Sequence, residues 1–140
     1  MIARSKYRFL PVTAVLISFL AYGCGESRTT QCNKLNKIAN RVKTLAPPKN
    51  AASFNQIAEA IDSIGLEMRA LKLEDGKLKD FQGRFNNIYN ESSEAARSIS
   101  QAYSEKKPAP AITEITKDVK TISDRESSLI SEINKYCAGQ

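Results

Sequence analysis

The sequence predicts an all-α fold: a four-helix up-down-up-down bundle with one disulfide joining the first and last helices. Four stretches repeat apolar residues at steps of three and four, the spacing of one helical face. Short breaks bearing proline or glycine separate them. Cys32 and Cys137 stand at the outer ends of the first and fourth stretches. No stretch sustains the period-two alternation of a half-buried strand.

The first stripe is Cys32, Leu35, Ile38, Val42 and Leu45. Thr29 or Thr30 serves as its starting cap, and Pro47-Pro48 ends it, because proline lacks an amide proton and disfavours helix in the residue before it. The second helix is predicted to begin near Ser53, where Ser53-Phe54-Asn55-Gln56 fits a capping box. Its stripe is Phe54, Ile57, Ile61, Ile64, Met68 and Leu71, with Gly65 a weak spot that need not break it. Glu74-Asp75-Gly76 supplies the next break, with Asp75 as cap of the third helix.

The third stripe is Leu78, Phe81, Phe85, Ile88, Ser92, Ala95, Ile99 and Ala102, a helix of ~40 Å. Its second half is thin, because Ser92, Ala95 and Ala102 are small. Residues 106–110 form the last break. The fourth stripe is Ile112, Ile115, Val119, Ile122, Glu126, Leu129, Ile133 and Tyr136. Glu126 violates it, and toward the end the buried face rotates to Leu129, Ile130, Ile133 and Cys137. Stripes of this kind also suit coiled coils with other chains. The short, proline-marked connections favour packing within one chain.

In an up-down-up-down bundle the start of the first helix and the end of the fourth lie at the same end. Cys32 is on the first turn of one and Cys137 on the last turn of the other, so a bridge between them is expected. It closes a loop of about 100 residues.

The N-terminal segment has a different character. Arg4, Lys6 and Arg8 precede an apolar run from Phe9 to Leu20, which ends at Ala21-Tyr22-Gly23-Cys24. Basic residues, a short apolar run and small residues before a cut make an export signal. The run is short of the roughly 20 apolar residues of a spanning helix. Ala21-Tyr22-Gly23-Cys24 resembles the bacterial lipobox, in which a small residue and then Gly or Ala precede the cysteine. Gly23 and Cys24 match that pattern, whereas Tyr22 is bulkier than usual. The resemblance implies cleavage after Gly23 and lipidation of Cys24. The cysteine count agrees: of three cysteines, lipidating Cys24 leaves an even pair in an oxidising compartment. The expected organisation is a signal peptide over 1–23, a lipidated cysteine and tether over 24–30, and a helical bundle domain over 31–140. Gly25 differs from the Asp that retains enteric lipoproteins at the inner membrane, which favours the outer membrane or a periplasmic face.

Composition narrows the function. The chain has 140 residues, 21 basic and 15 acidic. Three of the basic residues lie in the export segment, leaving 18 against the same 15 acids, a net +3. Much of the basic character thus belongs to export, and no nucleic-acid partner is expected. Histidine is absent, which excludes a Ser-His-Asp triad, His-ligated zinc and the Glu-x-x-His di-iron bundle site. Cys32 and Cys137 lack CxxC spacing, and no glycine-rich phosphate loop occurs. No cofactor, metal or catalytic residue is expected.

Other features are weaker. Glu59 with Asp62 and Glu91 with Glu94 share helical faces and read as solvated surface. Arg28, Lys34, Lys37, Arg41 and Lys43 form the densest basic group, a candidate contact for anionic lipid heads beside the anchor. Tyr89, Tyr103, Tyr136, Phe81 and Phe85 are read as core.

Gln31-Cys32-Asn33-Lys34-Leu35 and the run from Leu71 to Phe81 look like segments of small helical lipoproteins of cyanobacteria. That resemblance implies no catalytic residues and no substrate. The sequence therefore predicts a lipid-anchored, non-enzymatic helical module of the cell envelope that binds another envelope or membrane protein. The alternative is a small-ligand or lipid carrier, its cavity left by the thin half of the third helix. An enzyme confined to carboxylates, Lys and Tyr has no constellation to point to it.

Overall fold

The computed structural model describes residues 25–139. The signal peptide expected over 1–23 and the expected lipidation site Cys24 lie outside the described residues. Four α-helices are formed among the described residues: α1 (Arg28–Ala39), α2 (Ala51–Ala70), α3 (Gly76–Ser104) and α4 (Ala109–Ala138). A single 3-10 turn, Val42–Thr44, follows α1. Among the described residues there is no strand, and no helix is long and apolar enough to cross a membrane.

Each helix start has a local chemical cause. Ser27, rather than Thr29 or Thr30, caps α1, its Oγ accepting from the Thr30 amide. α2 begins earlier than the capping box at Ser53 predicts. Asn50 is the cap, and its Oδ1 accepts from the Ser53 amide at 2.9 Å. Ser53 takes the third helical position and its Oγ accepts from the Asn50 amide, so the box is closed one turn ahead of the predicted one. Asp75 caps α3 as predicted, accepting from the Leu78 amide at 2.9 Å. Pro110 sits in the first turn of α4, where its missing amide proton goes unneeded.

α1 ends at Ala39, well before Pro47. The 3-10 turn replaces its expected last turn and still brings Val42 and Leu45 against the core. A 3-10 turn repeats every three residues, so the step from Val42 to Leu45 survives the change of helix type.

α3 lies between α2 and α4, and α1 touches all three. Hydrogen bonds tie matching heights of neighbouring helices. Gln82 Nε2, near the start of α3, donates to the carbonyls of Met68 and Leu71 at the end of α2. At the other end, Ser100 Oγ donates to the Ala51 carbonyl at 2.8 Å. Arg84 on α3 holds Glu132 on α4 through two bonds of 2.7 and 2.8 Å, and Arg125 on α4 pairs with Glu91 on α3.

The core is concentrated at one end. Leu35, Met68, Leu78, Phe81, Phe85, Leu129 and Ile133 are almost wholly buried there. Cys32 and Cys137 are joined at that end, their Cα atoms 6.1 Å apart. The Tyr136 hydroxyl donates to Asp75 Oδ2 at 2.9 Å, linking the end of α4 to the cap of α3. Gln31, itself buried, accepts at Oε1 from the Glu74 and Asp75 amides and donates through Nε2 to the Glu26 carbonyl. One glutamine thus satisfies three backbone groups in two chain segments that have no helix to do so.

Past Ile88 the buried face of α3 differs from the expected stripe. Tyr89, Ser93, Ala96, Ile99, Ser100 and Ala102 are buried, whereas Ser92 and Ala95 are only half-buried. Small residues and Gly65 let α3 approach α2 closely here. A Cβ on Gly65 would lie 3.7 Å from Tyr89 Cβ. Tyr103, read as core, is 50% exposed instead, stacked on Phe54 with ring centroids 5.9 Å apart. It sits in the last turn of α3, beyond the reach of α1.

Candidate functional site

The described surface offers one concave apolar feature whose walls come from three helices. α3 forms its floor with Ser92, Ala95, Ala96 and Ile99. α2 supplies Phe54, Ile57 and Ile61, and α4 supplies Val119, Ile122, Ser123 and Glu126. Pro48 stands at the rim, and the volume is about 280 Å³.

Two sequence features create the cleft. At the disulfide end, Leu35 and Ala39 of α1 fill the space shared by α2, α3 and α4. But α1 has only 12 residues against 29 in α3, roughly 18 Å against roughly 43 Å. Beyond α1 that space has no fourth helix. The floor there is made of serine and alanine, which cannot fill it.

α4 reflects the same asymmetry. Its buried residues are Leu129 and Ile133, both in the second half. In the first half Ile112, Ile115 and Ile122 are half-buried and Val119 is 36% exposed. The fourth stripe is therefore only half used by the core of this chain.

Among the described residues, Glu126 is the single charged one lining the cleft. Its carboxyl is half-buried, and among the described residues it has no hydrogen bond or ion pair. Burial raises its pKa above the usual carboxylate value, against the opposing field of Lys43. On the floor helix, Tyr89 is only 2% exposed and its hydroxyl has no partner. Burial raises the Tyr89 pKa, and the charge of Glu126 raises it further. The buried Tyr89 hydroxyl thus stands without a partner, which native interiors avoid, and the half-buried Glu126 carboxylate on the cleft wall is near enough for its charge to act on it.

The residues singled out in the sequence fall elsewhere. Cys32 and Cys137 form the bridge. Of the basic group, three members are engaged within the domain: Arg28 lies 5.1 Å over the Tyr136 ring, Lys34 pairs with Glu26, and Arg41 pairs with Glu67. Lys37 and Lys43 are exposed. The carboxylate pairs are split: Asp62 pairs with Arg97, which lowers its pKa, and Glu91 pairs with Arg125. Among the described residues, no group of three carboxylates or cysteines is placed to hold a metal ion.

Glu126 is legible in the sequence only as an error in a stripe. A charged residue at an apolar position is the signal that marks it. Tyr89 gives no signal of its own, because its ring is ordinary core.

No protein-family model matches the chain, and neither a characterised protein nor a solved structure matches it.

Proposed function

We propose that this protein is a lipid-anchored, non-enzymatic binding module of the bacterial cell envelope, held by Cys24 and folded as an up-down-up-down bundle. The observation that carries this reading is the course of the chain just after Cys24. Gly25 lies against the Glu74 side chain, where a Cβ would come within 2.6 Å of Oε2, and Glu26 is held by Gln31. The residue following the lipidated cysteine is thus bound to the same end as the Cys32–Cys137 bridge. A lipid on Cys24 emerges there, with the well-packed end toward the membrane and Lys37 facing anionic head groups. The cleft lies 14 to 21 residues further along α3 than Leu78, roughly 20–30 Å from that end. The module holds it out from the bilayer.

In the first form of this reading, an envelope protein is the partner. The cleft favours the second form, a carrier of small amphipathic ligands. Ligand sites are concave, mostly apolar and marked by few polar groups, often between helices of bundles. A hollow of about 280 Å³ with one carboxylate has that character, near the lower limit of size.

Fractionation of the native envelope tests the anchor. The wild-type protein is expected in the membrane fraction, and Cys24→Ser in the soluble fraction with its fold retained. A Cys24→Ser protein that still sediments with membranes, or a wild-type protein released by salt alone, contradicts the reading.

A further inference from the structure

We infer that the cleft between α2, α3 and the first half of α4 binds a small cationic amphiphile. Its alkyl body lies on Phe54, Ile57, Ile99 and Ile122, and its ammonium head meets the Glu126 carboxylate. This inference rests on the carrier form of the proposed function and names the chemistry of its ligand.

The apolar part of the argument is the lining. Isoleucine, phenylalanine, valine and alanine supply eight of the twelve lining residues, and the floor is too short in side chain to close the space. The first half of α4 is held by half-buried residues alone, so that wall gains apolar contacts when an alkyl chain enters.

Glu126 supplies the selection. A half-buried carboxylate with no donor of its own is costly, and an entering ammonium ion offsets that cost in a site partly shielded from water. A ligand carboxylate would meet repulsion instead. Of the charged and titratable neighbours of Glu126, the Lys43 cation competes with an entering ammonium for the carboxylate, without a hydrogen bond or ion pair to it. Tyr89 on α3 is buried, and its neutral hydroxyl is a free donor or acceptor. Lys43, in the turn after α1, lies outside the lining, and the α2 lining residues do not titrate. Burial raises the Glu126 pKa above its usual value, against the field of Lys43, so ionisation of the carboxylate is shifted to higher pH. Amine binding therefore strengthens as pH rises through that raised value and is lost as pH falls below it.

The test is titration of the full mature chain carrying Cys24→Ser, which keeps acyl chains out of the assay. The probes are n-octylamine, n-octanol and octanoate below their aggregation concentrations, followed by calorimetry and by NMR shifts of the cleft residues. Octylamine is expected to bind at least about tenfold more tightly than octanol, with octanoate weakest. Glu126→Gln removes that preference while keeping helicity and thermal stability. Ala95→Phe, which fills the floor, abolishes binding of all three probes while leaving the charge in place. Equal binding of octylamine and octanol, or an undiminished preference in Glu126→Gln, overturns the ammonium assignment and leaves the cleft as a ligand site. Absence of every probe from the cleft overturns the carrier form as well.

Discussion

Replacing Cys32 and Cys137 together by alanine is expected to lower the unfolding free energy by up to ~4.7 kcal/mol, the chain-entropy value for a closed loop of about 100 residues. The pair is separated by 105 positions, so the bridge restricts nearly the whole domain in its unfolded state. The folded state loses as well. α1 has 12 residues, a length at which isolated helices are marginal in water. Without the bridge it is held by Leu35, Ile38, Ala39, the bonds of Gln31 and the contact of Arg28 with the Tyr136 ring. Urea unfolding of the wild type, the wild type with reductant and the double variant makes the comparison. The reduced wild type should coincide with the double variant, and both should lie well below the oxidised protein. Coincidence of all three curves would show that the bridge does not stabilise this fold.

The second large effect is expected at Phe85. Its side chain is wholly buried, with its ring stacked on Tyr89 at 5.6 Å between centroids. Phe85→Ala removes a wholly buried ring from the core cluster and leaves a cavity there, at a cost of about 3–5 kcal/mol. Ile115→Ala is the informative contrast. Ile115 is half-buried on the loosely held half of α4, and its truncation should cost less than about 1 kcal/mol. Chemical denaturation of the two variants reads this gradient directly. Equal losses would mean that the first half of α4 is packed as firmly as the second, which would remove the basis for a cleft able to widen.

The contrast between these residues also shows what the sequence could and could not reveal. The four helices, the breaks between them and the cysteine pair are legible, because each comes from a local rule: periodicity, proline and glycine chemistry, and an even thiol pair. The buried face of α3 past Ile88 is not, because close packing on α2 shifts it from the stripe. The length of α1 is not. Val42 and Leu45 keep a helical step while sitting on and after a 3-10 turn, so periodicity alone runs the helix too far. The start of α2 is hidden because Ser53 has the side chain of a cap and serves as the partner of one, Asn50. Gln31 and Gln82 close open backbone groups of distant segments, and no pattern along the chain records such contacts.

The candidate site is half legible. Its floor is visible as the thin half of the third stripe, and Glu126 as the residue that breaks the fourth. The walls become a cleft only because α1 stops at Ala39, which the sequence pattern conceals.

Intact mass of the protein from its native membrane, with and without reduction and alkylation, tests the central claim most directly. The account predicts an acylated N-terminus at Cys24 and two thiols that become alkylatable only after reduction. An unmodified N-terminus, or Cys32 and Cys137 free before reduction, would contradict a membrane-tethered module closed by a bridge at its anchored end.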